Sequence, residues 1–144
     1  MDTINFNCVV GNTDPKIPLG LEIWLNDHKF FDLDHIDSNH SVEHSINDDD
    51  GEHELRFVLK NKLPEHTTID AQDNILSDAR AIVKNIKFDG IDCDYILFTL
   101  AEYQHDFNGT GELTTHRFYG ELGCNGTVSL KFSTPIYIWL LENM

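Results

Sequence analysis

Two stretches of this chain alternate apolar and polar residues with a period of two, and no other feature constrains the fold as strongly. In residues 51–60, Leu55, Phe57 and Leu59 fall on one side and Glu54, Arg56 and Lys60 on the other. Residues 81–91 repeat the alternation, with Ile86 and Phe88 on the apolar side. A side-chain step of 180° per residue suits a strand with one face buried and one face wet, the usual condition of antiparallel sheets. Between the two stretches lies a turn-rich insert, dense in carboxylates and amides from 67 to 78.

The rest of the chain follows the same reading. Strands are expected over 4–10, 19–26, 28–33 and 42–46. Leu21, Ile23 and Leu25 share a face opposite Trp24, and Asn26-Asp27 makes a tight hairpin connection. Residues 47–51 (Asn47-Asp48-Asp49-Asp50-Gly51) read as a hairpin turn ending in the Asp-Gly signal. Residues 95–107 read as one long strand with Ile96, Phe98 and Leu100 on a shared face, and 112–119 and 127–141 as the last strands, with Pro135 interrupting the final one. One short helical turn is expected near 74–79. Turn signals at this spacing predict a single all-β domain over 1–144, an antiparallel, jelly-roll-like sandwich of about eight to ten strands. Residues 136–141 (Ile136-Tyr137-Ile138-Trp139-Leu140-Leu141) are apolar at every position. Read as a strand, that segment is covered on both faces, either between the sheets or in a homo-oligomer contact.

Charge narrows the partners. The 144 residues carry a formal net charge of −15, with 10 Lys and Arg against 25 Asp and Glu. Neutralising nucleic-acid phosphates requires basic side chains, so nucleic acid and anionic membranes are not expected partners. Cations, neutral ligands and basic protein surfaces are compatible with it. The first residues show no basic n-region and no long apolar run, so neither a signal peptide nor a membrane span is expected. Three cysteines, Cys8, Cys93 and Cys124, follow no CxxC spacing and read as small buried residues in a reducing compartment.

Four groups of residues are candidates for chemistry. Asp70, Asp73, Asn74 and Asp78 supply oxygen ligands within nine residues of the insert, which suits calcium, although the spacing is not that of an EF-hand. Asp and Asn also cap helical turns and build Asx-turns with no metal present. Tyr103, Phe118 and Tyr119, with Tyr95 and Phe107 nearby in sequence, are candidates for an aromatic platform on which a sugar ring stacks; aromatic residues also fill sheet cores. Asp92 and Asp94 would share a strand face about 6.6 Å apart, a separation compatible with glycosidic acid–base chemistry. His40 and His44 would lie about 13 Å apart on an extended chain, beyond shared metal ligation. There is no Gly-x-Ser-x-Gly, phosphate loop or dinucleotide fingerprint, and an enzyme is not the expected reading.

Together, residues 21–27 (Leu21-Glu22-Ile23-Trp24-Leu25-Asn26-Asp27), 51–61 and 78–86 resemble the small calcium-dependent xylan-binding modules. The resemblance implies a jelly-roll sandwich, sugar hydroxyls held through a loop calcium, and Asp78 as the acidic ligand just before a late strand. In the style of its composition the chain also resembles small virion proteins of tailed marine bacteriophages that infect cyanobacteria. The acidic, Asn- and Asp-rich strands and the ending Ile138-Trp139-Leu140-Leu141-Glu142-Asn143-Met144 carry that likeness. The expectation is a non-enzymatic virion accessory module that recognises host-surface polysaccharide, made in the host cytoplasm. A purely structural tail, neck or capsid decoration subunit that binds other virion proteins is the alternative, and a glycan-active enzyme the third reading.

Overall fold

The computed structural model describes residues 3–72, 74–109 and 111–143. In chain order the elements are β1 (Thr3–Asn12), β2 (Gly20–Leu25), β3 (His28–Leu33), β4 (His40–Asn47) and β5 (Gly51–Lys60). A 3-10 turn (Pro64–His66), β6 (Thr67–Ile69), β7 (Ile75–Asp78), β8 (Ala81–Phe88), β9 (Ile91–Asp92) and α1 (Asp94–Leu100) follow. The chain ends with β10 (Glu102–His105), β11 (Thr114–Arg117), β12 (Glu121–Leu122), β13 (Gly126–Thr134) and α2 (Ile136–Asn143).

The expected all-β sandwich is the architecture observed. A five-stranded sheet runs β12-β8-β1-β4 with β9 added to β8, and a six-stranded sheet runs β11-β10-β13-β5-β2-β3. A separate two-stranded ribbon, β6-β7, projects from the connection between them. The period-two pattern is the cause of the layering. Leu55, Phe57 and Leu59 of β5, Leu21 and Ile23 of β2, and Val128, Leu130 and Phe132 of β13 all point inward. From the opposite sheet come Ile4, Phe6, Cys8 and Val10, with Ile86 and Phe88. Aromatic rings join the layers: Phe6 lies 6.5 Å from Phe57 and 5.5 Å from Phe88, and Phe88 lies 5.3 Å from Phe132.

The alternation in β8 breaks phase, since Ala81 and Val83 are buried and then Ile86 and Phe88. A β-bulge resolves it: Asn7 pairs Lys87 but Val9 pairs Lys84, so β8 carries one extra residue. Asn85 takes the left-handed conformation there, at φ 54°. Bulges leave ladder donors unpaired; here the Asp94 carboxylate accepts from Ile86 N (2.8 Å) and Asn85 N (3.3 Å).

Several local expectations are corrected. Residues 95–100 are not part of a long strand; they form α1, in which Ile96 and Leu97 are buried and Leu100 is exposed. Short apolar runs do not distinguish strand from helix by period alone, and Asp92 Oδ1 accepting from Asp94 N (3.0 Å) starts the turn. Residues 136–141 are not a strand either. Pro135 precedes α2, Asp48 Oδ1 accepts from Ile136 N (2.8 Å), and Ile136, Trp139 and Leu140 form a buried stripe at helical spacing. Tyr137, Ile138 and Leu141 stay exposed, so the run is apolar on two sides but covered on one. The turn at 47–51 is a crossover between sheets rather than a hairpin, because β4 pairs β1 and β5 pairs β2 and β13. Near 74–79 the chain forms β7 instead of a helical turn.

Phe57 has no exposed surface and touches Phe6 and Phe118. Phe57→Ala is expected to lower unfolding free energy by about 3–5 kcal/mol, through lost burial and the cavity left behind, as read by urea denaturation. A loss under about 1 kcal/mol would show that this ring does not bridge the sheets.

Candidate functional site

An open groove of about 480 Å³ lies at one end of the six-stranded sheet. Asn26, Glu52, His53, Glu54, Lys131, Phe132, Ser133 and Trp139 line it. Three elements build it. The β2–β3 hairpin presents Asn26, whose left-handed backbone (φ 53°) suits an Asn turn. The paired ends of β5 and β13 set Glu54 opposite Lys131 and Glu52 opposite Ser133. Helix α2 lays Trp139 against Phe132, ring centroids 6.0 Å apart and edge-on, as an apolar floor.

A directional hydrogen-bond chain fixes the groove wall. Glu54 N donates to Asn26 Oδ1 (2.9 Å), which orients the amide so that its Nδ2 donates to His53 Nδ1 (3.1 Å). His53 Nε2–H then donates to Thr134 Oγ1 (3.1 Å), whose hydroxyl donates to the Asp49 carbonyl. With the Asn26 amide oriented in this way, His53 accepts at Nδ1 and donates at Nε2. It also ties hairpin, sheet and crossover together at one point.

The groove opens onto the outer face of the same sheet. Arg56 Nη2 donates to Asn26 O (2.8 Å), and its guanidinium lies 5.3 Å from the Trp24 ring. Trp24 Nε1 donates to Glu22 Oε1 (2.9 Å). Beside it, Lys60 bonds Asp32, with Asp34 and Glu22 also within ion-pair distance. The lysines at Asp32, Lys60 first and then Lys29, hold its carboxyl below the usual range.

The residues expected to bind ligand are divided by the fold. Phe118 is fully buried and Tyr103 nearly so; neither offers a ring face to a sugar, which corrects the platform reading for both. The Tyr103 hydroxyl donates to the Cys124 carbonyl and accepts from Cys124 N (2.9 Å), and burial pushes its pKa up. Tyr119 is exposed, with the Arg117 guanidinium 5.2 Å from its ring. Of the sequence neighbours, Tyr95 is exposed too.

The expected calcium ligands are not gathered. Asp73 lies outside the described residues. Asp70 closes the tip of the ribbon: Oδ1 accepts from Gln72 N (2.8 Å) and Asn74 N (2.9 Å). The Asn74 backbone bond leads in holding the Asp70 carboxyl below its ordinary pKa. Asp78 sits at the ribbon base, paired in register with Thr67. Asp70 lies three positions beyond Thr67, roughly 10 Å by strand rise. Asp78 Oδ1 accepts from the fully enclosed Lys62 ammonium (2.5 Å) and from the Thr67 hydroxyl (2.5 Å). A lysine ammonium thus stands where a cation would.

Asp92 and Asp94 do not share a strand face: Asp94 opens α1, and both carboxylates accept from backbone donors, at the start of α1 and at the β8 bulge. His40 and His44 both lie on β4. The His44 ring stacks on Phe30 at 4.0 Å and lies 6.0 Å from His28. His105 is packed among Tyr103, Phe107 and His116, and its Nδ1 accepts from Phe107 N (3.2 Å). All three cysteines are free, and burial pushes the Cys8 thiol up to about 12.

Sequence reasoning passed over the groove. One signal was present: His53 occupies the inward phase of Leu55, Phe57 and Leu59, where a polar residue must find partners. The approach of Trp139 and Asn26 to it depends on α2 and the hairpin, which the alternation does not specify. No protein-family model, curated protein or solved structure matches this chain.

His44 and His105 are held below the ordinary histidine range by burial, then by His28 and His116 respectively, with Asp106 opposing at His105. A neutral imidazole favoured by the fold contributes stability that is full above about pH 6.5. That stability is lost as pH falls through the lowered native value. The stability difference between the native chain and His44→Gln/His105→Gln should therefore shrink from about pH 7 to about pH 5, by urea unfolding at each pH. A constant difference would remove both histidines from the acid response.

Proposed function

We propose that this chain is a non-enzymatic binding module whose groove holds a segment of polysaccharide. One observation carries the reading: the polar side chains of Asn26, Glu52, His53, Glu54, Lys131 and Ser133 line one open groove over the nearly buried rings of Trp139 and Phe132. Sugar hydroxyls need donors and acceptors held in fixed positions, and the groove wall carries both. The net charge of −15 favours neutral or amino-bearing glycans over sulfated or uronic ones. The binding-only character is supported by Asp92 and Asp94, whose carboxylates already serve the backbone. The setting as a virion accessory protein acting on the host surface rests on the likeness of composition.

Glu52 and Lys131 are exposed on the rim. The double variant Glu52→Ala/Lys131→Ala is expected to keep its melting temperature and to bind glycan about tenfold more weakly, near 1.4 kcal/mol. A glycan array followed by calorimetry reads this. No retained glycan, or retention unchanged in the double variant, overturns the groove as a sugar site.

Calcium, if it takes part, competes with Lys62 for Asp78. Lys62→Gln leaves that carboxylate without its ammonium, so calcium should raise the melting temperature of the variant more than that of the native chain. Equal shifts in both would remove Asp78 from any cation site.

A structural subunit is the second reading, favoured by the apolar side of α2, where Tyr137, Ile138 and Leu141 are 50–77% exposed. The homo-oligomer expected through residues 136–141 would use these three side chains. They offer far less than the roughly 800 Å² per partner of a stable interface.

A further inference from the structure

We propose that the outer face of the five-stranded sheet binds a small α-amino acid as its zwitterion, the ammonium held by Glu43 and the carboxylate by Lys87. A hollow of about 210 Å³ lies there across β8, β1 and β4, its wall including Asn7, Val9, Ser41, Glu43, Asn85 and Lys87. Strand register assembles the set. Asn7 pairs Lys87 on one side and Glu43 on the other, so a cation, an amide and a carboxylate form one row across three strands. Phe6 and Cys8 point into the core, which turns this row outward. The side chains of Asn7, Ser41, Glu43, Asn85 and Lys87 make no hydrogen bond or ion pair with another described residue. Lys29, Lys60 and Lys62, by contrast, all sit in ion pairs. Asn7 Oδ1 is enclosed and meets no donor, a cost to the fold. The last torsion of an asparagine is soft, so the amide can turn this oxygen towards a donor in the hollow.

Charge and span name the occupant. Two interstrand spacings put the Cα atoms of Lys87 and Glu43 about 10 Å apart. The two charged groups of an α-amino acid lie about 3 Å apart by covalent geometry. A charge-assisted hydrogen bond of about 2.8 Å at each end extends that to about 9 Å. The neighbouring charges leave the row in place. Asp92 lies opposite Lys87 on β9, but its carboxylate accepts from Asp94 N, and Asp94 holds the bulge amides. Lys84, opposite Val9, adds to the positive side. An anion alone meets Glu43 and a chain of net charge −15, and a cation alone meets Lys84 and Lys87. A neutral sugar leaves both ends of the row unmatched. The hollow is smaller than the roughly 300 Å³ at which drug-sized sites begin, and half-buried Val9 offers an apolar contact. A short side chain, that of alanine or serine, fits this better than an aromatic one. The inference is independent of the sugar groove.

The test is isothermal titration calorimetry of the full chain with L-alanine and L-serine. Saturable heat with a Kd of about 1 mM or tighter is expected for at least one of them. N-acetyl-alanine lacks the ammonium and alaninamide lacks the carboxylate; each should bind about tenfold more weakly or not at all. Glu43→Gln and Lys87→Gln, both exposed, should keep the melting temperature and weaken the amino acid by a similar factor. Glu52→Ala/Lys131→Ala, in the groove, should leave it unchanged. No saturable heat with either amino acid overturns the proposal. So does equal binding of the two blocked derivatives, or of the amino acid by both Gln variants. Loss of binding in the groove variant would also overturn it, by moving the amino acid to the groove.

Discussion

The packing of Phe6 between the two sheets is the contact on which the rest of this molecule depends. Its ring meets Phe88 within its own sheet, Phe57 across the core and Phe30 at the sandwich edge. Each such ring, fully buried, contributes about 1.5–3 kcal/mol of transfer free energy, with a further increment of about 0.5–1.5 kcal/mol for a well-oriented aromatic pair. The column extends through Phe57 to Phe118 and from Phe88 to Phe132 and Trp139. Because Trp139 is the last ring of this column and also the groove floor, the helix that closes the core also shapes the concavity.

Most polar groups with a plausible chemical role turn out to satisfy backbone and buried charge. Asp94 supplies the acceptors that the β8 bulge needs, Asp48 caps α2, and Asp78 neutralises an enclosed lysine. In each case the carboxylate removes a cost that an unpaired buried donor or charge would impose. The groove wall, by contrast, carries polar side chains that face an open concavity. The Asn26–His53–Thr134 chain orients that wall.

The two histidine clusters lie apart from the groove. His44 stacks on Phe30 where strands β3 and β4 meet across the sandwich edge, and His105 is enclosed by aromatic rings near the β10–β11 turn. Both fill the role of flat apolar rings while retaining a titratable nitrogen. Burial and a neighbouring histidine hold both imidazoles below the ordinary histidine range.

The layered sandwich was legible in the sequence because side-chain alternation is a local property: Leu55, Phe57 and Leu59 occupy one face of any extended chain, and only a core can bury them. The Asn26-Asp27 hairpin was legible for a similar reason, since it needs left-handed backbone that Asn26 tolerates. The sequence by itself did not decide α1 and α2. Apolar runs such as 95–100 and 136–141 satisfy strand and helix alike, and the choice fell to partners distant in the chain, Asp48 for α2 and the bulge bound by Asp94 for α1. Nor did it decide that Tyr103 and Phe118 lie in the core while Tyr119 faces solvent. Only tertiary structure brings Asn26, His53, Lys131 and Trp139 to one groove, because the contacts that align them cross between elements that are remote in sequence and carry no local pattern.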